Sequence, residues 1–123
     1  MKKYTVDEII TIFEKSGNLM YVATLSGDYK TNNKEGKRLT ELFKIFEKET
    51  EFGYHCIDKL IKSNNVVIVT KAAAYCLALG YNVDYAVSVL QNIANDSDNG
   101  IFGFNAEMTL KVWEKNGYLK IYQ

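Results

Sequence analysis

The sequence predicts an all-α domain of about six antiparallel helices arranged as HEAT-like stacked helix pairs. Three observations carry that expectation. The 123-residue chain contains no proline, so it has no obligatory helix stops. Apolar residues recur at three- and four-residue spacing along most of its length. Clusters of Gly, Asn, Ser and Asp interrupt that spacing at helix-sized intervals. The length fits one domain, residues 1–123, and a hydrophobic fraction of 47% is too high for an intrinsically disordered chain.

Thr5-Val6-Asp7-Glu8 has the form of a capping box, so the first helix is expected over 6–25, with Ser16-Gly17-Asn18 as a place where it kinks or breaks. Between Asp28 and Glu51, Leu39, Leu42, Phe43, Ile45 and Phe46 alternate with charged residues at a period near 3.6, which predicts a strongly amphipathic second helix. Gly53 and Ser63-Asn64-Asn65 bracket a third, over 53–62.

Val66-Val67-Ile68-Val69-Thr70 would be a strand on propensity alone. The strongly helix-forming run Lys71 to Leu79 follows with no turn signal between, and a lone strand has no partner. A continuous, central helix over 65–79 ended by Gly80 is therefore predicted. Asn82 is expected to cap a fifth helix through Ala94. After the turn cluster Asn95 to Gly100, a sixth runs over 102–115, and Tyr118 to Tyr122 form a tail packing back.

Fifteen basic and fifteen acidic residues cancel, which argues against a general nucleic-acid binder, because such proteins draw affinity from excess positive charge. The charge is nevertheless uneven. Lys30 to Arg38 carries four basic residues and one acidic, while 49–123 holds eight acidic and six basic. The basic stretch lacks the interleaved aromatics that stack on bases.

The only histidine, His55, adjoins Cys56. Neighbours at i and i+1 on a helix point about 100° apart, so a Cys-His nucleophile pair is disfavoured. One His and two separated Cys do not give the paired ligands of a zinc site. Asp96-Ser97-Asp98-Asn99-Gly100 superficially matches a calcium loop but has no Glu at the twelfth position. Neither a phosphate-cradling glycine loop nor a Gly-x-Ser-x-Gly elbow occurs. No enzyme activity, cofactor or metal is expected.

Cys56 and Cys76 fall in apolar helical patterns and are expected to be reduced core residues. Met1 to Thr5 lead into an amphipathic helix rather than an apolar signal core, and no apolar run approaches the roughly 20 residues of a membrane span, so a cytoplasmic location is expected. Nine tyrosines, many in polar surroundings, fit either an interface or rings that cap the core with their hydroxyls in water.

The segments Gly27-Asp28-Tyr29-Lys30-x-x-Asn33-Lys34, Val69-x-Lys71-Ala72-Ala73-Ala74-Tyr75-x-Leu77, Ala86-x-x-x-Leu90, Phe104-x-Ala106-Glu107-x-Thr109-Leu110-x-x-Trp113 and Gly117-x-Leu119 together resemble a family of small bacterial HEAT-like helical proteins. Members of that family are similar to the immunity proteins of toxin-immunity and contact-dependent growth inhibition systems. The resemblance implies a protein that binds a cognate secreted toxin domain, a nuclease by preference; no membrane or direct nucleic-acid contact is expected, and the oligomeric state is left open, with a monomer the default. The alternative is a helical-repeat adaptor with another protein partner. Asp84, Asp96, Asp98 and Glu107 are the expected partner contacts, since acidic surfaces suit the basic clefts of nucleases, and Lys30 to Arg38 is the alternative face.

Overall fold

A computed structural model describes residues 3–123, and Met1 and Lys2 of the expected leaderless start lie outside them. Six α-helices form: α1 (Val6–Ser26), α2 (Tyr29–Lys48), α3 (Thr50–Leu60), α4 (Val66–Leu79), α5 (Val83–Asn95) and α6 (Ile101–Asn116). A single 3-10 turn, Ser97–Asn99, joins the last two, and no strand occurs among the described residues. The helices pack as a bundle in which α1 lies closest to α2, α5 to α6 and α4 to α5, while α3 packs against α1, α2 and α4 alike. α4 sits in the middle, touching α1, α3, α5 and α6.

The expected capping box opens α1: the Thr5 hydroxyl accepts from the Glu8 amide at 3.1 Å and the Glu8 carboxylate accepts from the Thr5 amide at 2.9 Å. Asp28 caps α2 by accepting from the amide and hydroxyl of Thr31. Asn65 caps α4 by accepting from the Val67 amide at 2.8 Å.

The β-branched run 66–70 is helical, as the absence of a turn before Lys71 requires, and α4 buries Ile68, Ala72, Ala73, Tyr75, Cys76 and Leu77. Around it Phe13, Phe43, Phe46 and Tyr75 form one aromatic cluster, with Phe43 and Tyr75 centroids 4.7 Å apart. Four acceptor or donor groups tie the helices beneath that cluster. The Ser16 hydroxyl donates to the buried Glu35 carboxylate at 2.8 Å, and Asn65 donates from its amide nitrogen to Asn18 Oδ1 at 3.2 Å.

Several expectations need correction. The Ser16-Gly17-Asn18 segment neither kinks nor breaks α1. Gly17 is where α4 comes close, since a Cβ there would stand 2.5 Å from Ile68 Cγ1. Gly53 likewise lies inside α3 rather than before it, with Phe46 packed against its bare Cα. The second and third helices meet at Glu49, so α2 is shorter at its end and α3 begins earlier than expected. Asn82 precedes α5 but does not cap it: it is left-handed, φ 52°, and its side chain makes no capping bond. Gly80, also left-handed, and Asn82 together turn the chain sharply enough to leave that side chain out of reach.

The tail packs back as expected. Tyr122 donates its hydroxyl to Glu47, lies edge-on to Phe43 at 6.3 Å, and carries Lys44 Nζ 4.8 Å from its ring centre.

Candidate protein-docking face

α6 is apolar on two sides. Phe102, Gly103, Ala106 and Leu110 face inward and are buried. On the opposite side Ile101, Phe104, Met108 and Val112 remain 48%, 59%, 41% and 42% exposed, outside the core. At 100° per residue these four share an arc of about 80° and run for about 16 Å along the helix. A contiguous exposed apolar surface with a polar rim is the usual form of a protein-binding site.

The rim is acidic. Asp96 and Asp98 occupy the turn that leads into the stripe, where the Asp96 carboxylate accepts from the Asp98 amide at 3.0 Å. That bond makes Asp96 to Gly100 a side-chain-capped turn, and no cluster of three or more His, Cys, Asp or Glu able to hold a metal exists among the described residues. Glu107 flanks the stripe in an ion pair with Lys111 at 2.9 Å. Asp84 is exposed in the first turn of α5, about 18 Å from Asp96 by helix rise, so it stands apart from the other three. Residues 83–116 hold five carboxylates against two lysines.

By contrast, α2 holds six cations against three carboxylates, one of them the buried Glu35. The stripe on α6 itself was not anticipated. Its signal was present: Phe102, Phe104, Ala106, Met108, Leu110 and Val112 alternate, and a period of two on a helix places apolar residues on both faces. Tyr21 of α1 stacks on Phe102 with centroids 4.6 Å apart, and the exposed Val22 and Leu25 stand within a turn of that pair.

His55 and Cys56 point apart, the imidazole exposed and the thiol buried. Burial pushes the Cys56 thiol up to about 11, against a small opposing pull from Lys59. Burial and the negative charge of Asp58 push Cys76 up to about 11 as well. Thiolate is therefore scarce near neutral pH, and both thiols are expected to react with a disulfide reagent at pH 8 only as fast as the domain unfolds. A fast-reacting thiol in the folded protein would contradict that placement.

Two of the surface tyrosines cap the core. Tyr54 and Tyr81 stack with centroids 3.9 Å apart, and Tyr81 donates to Asp58 at 2.8 Å. Tyr29, Tyr85 and Tyr118 are exposed.

The fold places the protein among all-α helical bundles. No family model, curated protein or solved structure matches the chain.

Proposed function

We propose that this is an immunity protein that binds a cognate secreted toxin domain, a nuclease, and occludes it through the outer face of α6. The observation that supports this reading is the apolar stripe Ile101, Phe104, Met108 and Val112 headed by the acidic turn of Asp96 and Asp98. A surface that holds nucleic acid is basic, so an acidic rim attracts it while the stripe supplies the dry centre of an interface. Inhibition of this kind needs no chemistry from the inhibitor. The resemblance of five sequence segments to a HEAT-like family whose members are similar to immunity proteins points the same way.

The test is co-expression with the variable C-terminal domain of a large secreted protein encoded directly upstream. The wild-type chain is expected to rescue growth. Phe104→Glu with Met108→Glu should abolish rescue while leaving the fold intact, because both side chains are on the surface. Glu51→Lys, on exposed α3 surface, should rescue normally. Rescue by the double variant overturns the assignment of the face. Absence of such a gene, or failure of the wild type to rescue, overturns the immunity reading in favour of a helical-repeat adaptor.

A further inference from the structure

α1, α2, α4 and α6 converge on a cavity of about 250 Å³, walled by Met20, Val67 and Phe102 and bearing the polar groups of Thr24, Asn32, Thr70, Lys71 and Asn105. It shares Met20, Asn32 and Lys71 with an adjoining open cleft of about 720 Å³, whose rim carries Lys34, Lys37 and Arg38. Two polar groups in the shared wall lack partners. The Lys71 ammonium takes part in none of the ion pairs or hydrogen bonds formed among the described residues. Its surroundings strip enough water to draw its pKa below the ordinary lysine range.

The second group is the Asn32 amide. Its nitrogen donates to Thr24 Oγ1 at 3.1 Å, and its buried oxygen has no partner. Reversing the amide would let the oxygen accept from Thr24 and leave the nitrogen unpartnered instead, so one end is unsatisfied either way. Lys71 is half-buried and partly desolvated, and the Asn32 oxygen is buried outright; native proteins rarely leave a buried amide atom without a ligand or water to meet it. The nearby carboxylates are spent elsewhere: Glu41 on the cleft rim pairs with Lys44 at 3.2 Å, and Glu35 accepts from Ser16.

We infer that this cavity is a binding site for a phosphate group, held by Lys71 and Asn32 at its base with Lys34, Lys37 and Arg38 at its mouth. Four cations suit an oxyanion of up to two charges. Near neutral pH a phosphate carries acceptor oxygens for Lys71 and, in either amide orientation, a partner for Asn32 from an oxygen or a residual hydroxyl, and its charge of up to two matches the four cations better than the single charge of a carboxylate. The open cleft leaves space for the remainder of a phosphate ester. Asn33, Lys34 and Lys71, which belong to separate segments of the sequence, meet only at this cleft. The site borders the first turns of α6 through Phe102 and Asn105, but its evidence does not depend on the immunity reading.

The test is calorimetric titration of the full chain at fixed ionic strength with inorganic phosphate, adenosine monophosphate and acetate. Saturable binding of phosphate or the monophosphate is expected, with acetate at least tenfold weaker. Tighter binding of the nucleotide identifies an ester as the ligand, and equal binding identifies free phosphate. Lys71→Met should weaken phosphate by tenfold or more without lowering the melting temperature of the unliganded protein, because it removes only a half-buried, partly desolvated cation that has no partner. The exposed rim variant Arg38→Ala, which cannot disturb the core, should weaken it several-fold. No saturable phosphate binding, an equal response to acetate, or unchanged binding in both variants overturns the site.

Discussion

Phe13→Ala is expected to destabilise the domain by about 3–5 kcal/mol, a large share of the about 5–15 kcal/mol that holds a typical domain folded. Phe13 has no exposed surface. Its ring stacks with Phe46 at 6.3 Å and meets the edge of Tyr75 at 6.1 Å, so it joins α1 to α2 and α4 at once. Truncation removes those contacts and opens a cavity among rings that cannot collapse together, since each is pinned by its own helix. Urea denaturation measures the loss. Val22→Ala, on the same helix but 65% exposed, should change stability by under about 0.5 kcal/mol. Equal effects from the two substitutions would mean that the aromatic cluster is not the core.

Gly53→Ala is expected to destabilise by about 1–3 kcal/mol, against the general gain of roughly 0.5–1 kcal/mol when alanine replaces glycine inside a helix. The sign follows from what the new methyl would meet. It would stand 2.7 Å from Phe46 Cβ, 2.9 Å from Phe46 Cα and 3.1 Å from its carbonyl oxygen. Backbone cannot swing aside as a side-chain tip can, so α3 must lift from α2. Gly36, inside α2, is the internal control. There the nearest atom to a new Cβ is Met20 Cε at 3.8 Å, an ordinary contact with a flexible tip. Gly36→Ala should therefore stabilise, by about 0.5–1 kcal/mol. Shifts of the same sign at the two glycines, read by thermal or urea unfolding, would contradict the close α2–α3 contact.

Those glycines also mark what the sequence could and could not convey. The start of α1 was legible because Thr5 and Glu8 act on each other across a single turn. The helical state of Val66 to Thr70 was legible because no turn residue separates it from Lys71. Gly17 and Gly53, by contrast, look like helix breakers locally, and their role is set by Ile68 and Phe46, which the sequence does not place beside them. The acidic positions Asp96, Asp98 and Glu107 were legible as charge, but the apolar stripe between them emerged only when the inward face of α6 was known. Asn32 and Lys71 are 39 positions apart in the numbering, and nothing local to either shows that they share a wall.

The central claim is that the outer face of α6 docks a basic toxin domain. It is tested most directly by the affinity of the purified chain for the proposed partner, a secreted C-terminal domain sought in the reading frame directly upstream, compared with that of Phe104→Glu. A saturable complex weakened by about 30-fold or more is predicted, the effect expected when a central interface anchor is lost. Undiminished affinity in the Phe104→Glu variant, with the fold intact, would contradict it.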